Sequence, residues 1–522
     1  MLVGYVSDEQ YTALPDVALA FRNGSTIVAT RSLADGAVVA DVGPGDWRVT
    51  LSKPGFGSKR VEISLPAAAP HQFRLLSDGL LGYVWPKWSV CGTEAEFRVH
   101  STTAYKLSLW RYGWEKQLVQ DLGWFDDHGP RATTQITPDG DYTQCGVGWN
   151  KIGFGSAWHQ QRITAPPRSG LYYFHVKNAR GEFFSFPWIV QPAHPTARVA
   201  VLTSNATWNA YNSFGGRSNY VNQRELLAEP TAYARTDLER YTRPGLWPFE
   251  DYGAPLSFDR PEPANFVPEE ARITDSIEGR LACANAPGEW RLLGWLEHEG
   301  FAFDLYSETE LHFGRVPLDQ YGVLILNTHN EYVTKEMYFA IKDWVHHRGG
   351  RLMYLAGCGF LCEFEFLDEF TMRCRQEERS DLRGESEACL LGVAYSHGGY
   401  RTGAPYGVLA GEHWVFEGTD LGTGDLFGLR SLNGRTPGGA SGLELDKISP
   451  HSPANIVHLA KGQNPENSGA DLVIYETASG GSVFSVGSLN WTLALPIDDD
   501  VSRITANVLR RFLSAASPAE RR

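Results

Sequence analysis

The stretch YGVLILNTHNEYVTKEMYFAIKDWV, Tyr321 to Val345, decides how the second half of this chain is built. Its first six residues form a nearly continuous apolar run of strand length, and its last dozen place apolar residues at helical spacing. A strand that needs no polar alternation is covered on both faces, as in a parallel sheet flanked by helices. Between the two elements lies a polar cluster, Thr328-His329-Asn330-Glu331-Tyr332. In open parallel sheets, ligands bind beyond the carboxyl ends of the strands, so an imidazole, a carboxylate and a phenol stand where chemistry is expected.

Working outward, the pattern predicts strands at 198–203, 301–305, 321–327 and 351–356, with helices at about 288–299 and 334–348. A hairpin follows in DLVIYETASGGSVFSVGSLNW, turning at Gly480-Gly481. A closing helix near 500–514 begins behind Asp498 to Asp500, which cap it and face its positive end. This alternation implies an α/β domain with a mostly parallel sheet, assigned to 195–522. Upstream, short alternating runs such as GDWRVTLS, KRVEISL and GLYYFHVKN are separated by turn signals, Asn23-Gly24 and Gly43-Pro44-Gly45 among them. They predict two antiparallel β-sandwich domains, 1–77 and 78–194. The prolines of QPAHPTARVAVLTSN mark the change of architecture.

The chain carries 47 basic and 61 acidic residues, a net charge of −14, with no basic stripe. Nucleic acid and anionic membranes are therefore poor partners. The amino terminus lacks a signal-peptide pattern and no apolar run reaches spanning length, so a soluble cytoplasmic protein is expected. The seven cysteines are odd in number and scattered, which fits reduced thiols. Cys358 and Cys362 lack the second pair that a zinc set requires.

Three polar clusters follow strands: TSNATWNAYNSFGGRSNY after 198–203, THNEY after 321–327 and AGCGF after 351–356. Thr334 is placed to cap the next helix, so Glu331 is not needed as its cap. His329 and Glu331, two residues apart in an extended turn, point to the same side. The irregular, aromatic segment from Tyr211 to Pro287 is read as covering a site. Spacing does not select any one of the 22 tyrosines.

Two other functions remain open on residue patterns. Cys358 in YLAGCGFLC occupies a glycine-flanked turn after a strand, like a nucleophile elbow. With His397 or His329 as base it would make a cysteine amidohydrolase or amidotransferase. Alternatively, the aromatic-rich sandwiches are carbohydrate- or partner-binding modules on an inactive domain.

The strings VAVLTSNATWNAYNSFGGRSNYVN, FDLYSETELHFG, LNTHNEYVTKEMYFAIKDWVHHRGGRLMYLAGCGF and GGSVFSVGSLNW occur in this order between Thr196 and Ala515. Together they resemble the carboxyl-terminal domain of the large subunit of N,N-dimethylformamidase and its relatives. The resemblance implies a glutamine-amidotransferase-like α/β fold and hydrolysis of a small N-substituted amide or formamide. It also implies a mononuclear ferric ion held by two tyrosines and a glutamate, which fall on Tyr211, Tyr252 and Glu331. The family's active-site histidine falls on His329 and its catalytic glutamate on Glu476. Asn209, Asn330 and Cys358 are the expected substrate-pocket residues. Cys358 replaces the family's asparagine, a departure that argues against assuming dimethylformamide itself as substrate. A homo-oligomer and a separate small subunit are the partners the resemblance implies. Phenolate and carboxylate oxygens are hard donors suited to ferric iron.

Overall fold

The computed structural model describes residues 1–125, 137–149, 161–222, 224–231, 251–375, 380–515 and 519. Part of the irregular segment read as covering a site, residues 232–250, lies outside the described residues.

The chain is mostly β-structure arranged in several sheets, with few helices. At the amino end, a three-stranded sheet (Ala37–Val39, Leu2–Ser7, His71–Arg74) faces a four-stranded one (Thr26–Arg31, Ala18–Asn23, Gly45–Lys53, Gly57–Leu65). Gly45–Lys53 alternates buried and exposed side chains, so Trp47, Val49 and Leu51 enter the core with Val6, Phe21 and Phe73. A second pair of sheets follows, three-stranded around Glu94–His100 and five-stranded around Tyr105–Tyr112, Gly170–Asn178 and Phe183–Gln191.

The site belongs to a nine-stranded sheet. Its first five strands run parallel in the order Phe303–Tyr306, Val199–Leu202, Val323–Thr328, Arg351–Ala356 and Ser482–Ser485. The next four, Asp471–Glu476, Val457–Gly462, Tyr406–Val408 and Leu426–Phe427, are antiparallel. The expected mostly parallel sheet is thus mixed. The Gly480-Gly481 turn is the cause, since it folds Asp471–Glu476 back along Ser482–Ser485, and a tight hairpin joins only antiparallel strands.

The parallel strands are buried along their whole length, as their apolar runs require. Helix Lys335–His346 starts at Thr334, whose hydroxyl accepts from the Met337 amide. Helix Asp499–Ser514 starts at Asp498, whose carboxylate accepts from the Val501 amide at 3.1 Å. The latter helix buries Val501, Ile504, Val508, Leu509 and Phe512 on one stripe, roughly 1.5–3 kcal/mol for each large side chain. Among the described residues, no helix is long and apolar enough to cross a membrane.

Both upstream units touch the α/β layers. Tyr112, Tyr173 and Ile189 join the same core as Trp290 and Leu293, and Trp290 Nε1 donates to the Gly113 carbonyl at 2.7 Å. Arg74 donates to the Gly215 carbonyl at 3.0 Å, while the Gly215 amide donates to the Glu9 carbonyl at 2.5 Å. These bonds clamp the loop that follows Tyr211.

Candidate active site

Five chain segments converge beyond the carboxyl ends of the parallel strands. Val323–Thr328 leads into His329 and Glu331, and Arg351–Ala356 leads into Gly357 and Cys358. Helix Asn205–Tyr211 delivers Tyr211. Helix Arg280–Ala284 delivers Arg280, and the residue before strand Leu445–Lys447 is Glu444. Thr328 (φ 62°), Cys358 (φ 57°), Phe360 (φ 58°) and Leu443 (φ 68°) all hold left-handed backbone here. Such conformations cost non-glycine residues on the order of 1–3 kcal/mol each and concentrate at functional sites. Gly357 meets a different demand: a Cβ there would lie 2.5 Å from the Glu444 carbonyl oxygen and 2.6 Å from the Leu489 nitrogen.

His329 is fully buried, and its Nδ1 lies 2.9 Å from the Gly357 carbonyl. A carbonyl only accepts, so Nδ1 carries a proton and Nε2 is turned inward. There Nε2 lies 2.9 Å from the Tyr211 hydroxyl, 3.1 Å from Glu331 Oε2 and 3.1 Å from Glu444 Oε2. The Tyr211 hydroxyl also donates to Glu331 Oε2. Arg280 completes the cluster: Nη2 donates to the Tyr211 oxygen at 2.9 Å and to Glu444 Oε1 at 2.5 Å, and Nη1 donates to the Tyr220 hydroxyl at 3.1 Å.

These contacts set the charges. Burial alone would push His329 down, but the carboxylates of Glu444 and Glu331 outweigh it and hold the imidazole above its ordinary value. Burial would raise Glu444, but Arg280 and His329 hold it below the usual carboxylate range. Burial keeps the Tyr211 phenol well above its ordinary value, with Arg280 opposing and Glu331 reinforcing. The cluster therefore presents an anionic carboxylate, a proton-holding imidazole and a phenol within mutual reach.

Of the residues expected from sequence, His329, Glu331 and Tyr211 are brought together. Tyr252 is not: its ring lies under two guanidiniums, Arg373 at 4.2 Å and Arg375 at 5.2 Å, and its backbone bridges to Arg375. Two cations on one ring make a poor neighbourhood for a metal ligand. Glu476 is exposed and pairs with Ser482, which in turn pairs with Arg351. It thus sits at the amino end of the parallel strands, across the sheet from His329, because its strand runs antiparallel to them.

The expected pocket residues are buried, and the two asparagines bond to neighbouring segments. Asn209 donates to the Leu256 carbonyl at 3.2 Å and accepts from Arg260 at 2.9 Å. Asn330 donates to Glu308 at 2.8 Å and to the Thr203 carbonyl at 3.2 Å. The Cys358 thiol is buried, and burial followed by Glu444 and Glu331 pushes it well above its ordinary value. His397 is exposed beside Tyr395. Tyr332 is fully buried and accepts from Asn219 at 2.6 Å.

Glu444, Arg280 and Tyr220 escaped sequence reading. Glu444 precedes a three-residue strand and Arg280 opens a five-residue helix, so neither carries a periodic or motif signal. A cavity of about 1070 Å³ opens onto Tyr211, Tyr220 and Arg280, and Asn209, Asn330 and Cys358 do not line it.

The donor types suit a hard cation. Phenol and carboxylate oxygens from Tyr211 and Glu331 are in direct contact, and Glu444 Oε2 is a further buried carboxylate oxygen beside them, 3.1 Å from His329 Nε2. Among the described residues, no three His, Cys, Asp or Glu side chains form a metal set, so a metal here would draw on the phenol.

The family model described as N,N-dimethylformamidase beta subunit-like, C-terminal, matches residues 106–503. A curated N,N-dimethylformamidase beta subunit from Paracoccus aminophilus is 28% identical, across 72% of this chain and 61% of that protein. One from Alcaligenes sp is also 28% identical, across 44% of this chain and 37% of that protein. The chain thus spans about three fifths or less of the curated relatives it matches. Among solved structures, the major pilin subunit of Bacillus cereus aligns with 38% of this chain and 71% of its own at 9% identity. Its TM-score of 0.13 carries no argument about the fold. The family match covers most of the chain, including Tyr211, Arg280, His329, Glu331 and Glu444. The chain belongs to the N,N-dimethylformamidase beta subunit-like, C-terminal family.

Proposed function

We propose that this protein is an amide hydrolase acting on an N-substituted amide or formamide, with Tyr211, His329, Glu331, Glu444 and Arg280 as its working cluster. The observation that carries this reading is His329 Nε2, which lies within 3.1 Å of a phenol and two carboxylates at the strand ends. Family membership supports the same reaction class. We read Tyr211 and Glu331 as the donors for a mononuclear ferric ion, without Tyr252. When bound, such an ion supplies Lewis-acid polarisation of the amide carbonyl.

The chain's own groups supply proton handling. His329, held protonated by its two carboxylates, keeps a proton at Nε2 for the departing amine. Glu444, ionised and oriented by Arg280, is placed to accept a proton from the attacking water. Arg280 ties Glu444 to Tyr211 and so fixes their spacing. Burial of the cluster excludes bulk water, which strengthens each of these interactions.

Burial also weighs against the thiol reading, because Cys358 sits among carboxylates that disfavour its thiolate. As part of the same proposal, we read the five parallel strands as a glutamine-amidotransferase-like core behind sandwich domains 1–77 and 78–194. We also propose a cytoplasmic, homo-oligomeric enzyme that works with a separate small subunit; the relatives' beta-subunit names support a partner subunit.

The test is metal content and a visible spectrum on protein purified without chelator, followed by a panel of small amides. About one iron per chain, a broad visible band and amine release are the expected results. Colourless protein that takes up no iron and releases no amine overturns the reading.

A further inference from the structure

Resting on the amide-hydrolase reading, we infer that the substrate carries a bulky apolar substituent on its amide, larger than the methyl groups of dimethylformamide, seated in the cavity beside Tyr211. That cavity measures about 1070 Å³, just above the roughly 300–1,000 Å³ that pockets for drug-sized ligands span. An amide as small as dimethylformamide would leave nearly all of it to water.

The lining decides what fills it. One wall is apolar, with Phe266, Val267, Ile277, Leu281, Ala282 and Pro287 facing the space. Leu281 follows Arg280 on the same short helix and is 39% exposed, a large side chain left uncovered inside the cavity. The charged side chains on the lining carry both signs: Arg280, Arg291, Arg401 and Arg435 stand against Glu270, Asp275 and Glu278, and Arg280 is already paired with Glu444. Opposite charges on one lining select no net charge in the ligand, so the apolar wall sets the preference. Burying apolar area contributes about 25 cal/mol per Å², or roughly fourfold in affinity for each buried methylene.

The wall is also held in place relative to the cluster. The Ile277 amide donates to the Leu432 carbonyl at 2.7 Å, and the Gly434 amide donates to the Ile277 carbonyl at 2.9 Å. The Val267 amide donates to the Ser185 hydroxyl at 2.9 Å, and that hydroxyl donates to the Val267 carbonyl at 2.7 Å. An apolar group packed on this wall is therefore presented at a fixed distance from Tyr211, as specificity through binding requires.

The experiment compares kcat/KM for dimethylformamide, N-butyl-N-methylformamide and N-methyl-N-phenylformamide on the full chain, its L281D variant and its A264W variant. Leu281 is exposed and Ala264 partly so, which makes both substitutions compatible with folding. In the unaltered protein, kcat/KM should rise at least tenfold from dimethylformamide to the larger amides. Both variants should shrink that ratio to about twofold.

Calorimetric binding of the same three amides to the Tyr211→Phe variant separates the two claims. Turnover without size preference overturns this inference and leaves the hydrolase reading standing. Tighter binding of the larger amides with no turnover of any amide overturns the hydrolase reading and supports an apolar ligand in this cavity. Equal binding of all three overturns the inference whatever the turnover.

Discussion

His329 Nε2 and Glu444 Oε2 lie 3.1 Å apart, although no local pattern in the chain connects them. Both are buried, and Arg280 holds the other oxygen of Glu444 at 2.5 Å. The pair makes Glu444 the chief reason that His329 keeps its proton. Glu444→Gln removes that charge while keeping the shape. We expect kcat to fall on the order of 100-fold or more, as loss of a positioned acid–base group does. The pKa of the alkaline limb of the pH–rate profile, where His329 loses its proton, should move down, because an uncharged neighbour no longer favours the imidazolium. An unchanged profile would remove Glu444 from the mechanism.

Tyr211 contacts His329, Glu331 and Arg280, whereas Tyr252 lies under Arg373 and Arg375 and Glu476 stands at the far end of the sheet. Tyr211→Phe should abolish the visible band of iron-loaded protein and lower kcat/KM on the order of 100-fold. Tyr252→Phe and Glu476→Gln should keep both within about twofold. The comparison is made by titrating iron into the three variants and following absorbance and amine release together. Loss of the band in Tyr252→Phe would restore that residue to the ligand set.

Cys358 is buried, and the surrounding carboxylates disfavour its thiolate. Its strained φ of 57° resembles that of a nucleophile, but its chemistry does not. Cys358→Ser should therefore retain activity within a few-fold, and thiol-alkylating reagents should inactivate native protein only slowly. Rapid inactivation protected by substrate would favour the thiol mechanism instead.

Beneath the site, Glu289 Oε1 accepts from the Ser204 amide at 2.8 Å, the Ser204 hydroxyl at 2.5 Å and Trp208 Nε1 at 2.8 Å, while Oε2 has no partner. Burial pushes this carboxyl up to about 7, against about 4.3 in an unfolded chain. The native state thus holds a proton that the unfolded state loses. Its contribution to stability is complete below about pH 4.3 and is lost as pH rises through about 7. Glu289→Gln places an amide nitrogen at the unpartnered oxygen and cannot ionise. Between pH 5 and 8, the melting temperature of this variant should fall less steeply than that of the unaltered protein. Parallel curves would show that Glu289 is already ionised in the native state.

Sequence by itself determined the parts that depend on local periodicity. The runs predicted as strands at 198–203, 321–327 and 351–356 are mostly apolar along their length, which called for buried strands, and Thr334 and Asp498 were placed to start helices because their side chains complete the first turn. His329 and Glu331 were legible because they stand two residues apart at a strand end, and Tyr211 was recovered through resemblance. Tertiary structure decided the rest. Arg280 and Glu444 reach the cluster across long separations, through loops whose backbone bonds carry no sequence signature. Strand pairing put Tyr252 beside two arginines and Glu476 at the opposite end of the strands from His329. Local sequence sets burial and capping because these act within a few residues. A site assembled from distant segments is set by which strands pair and in which direction.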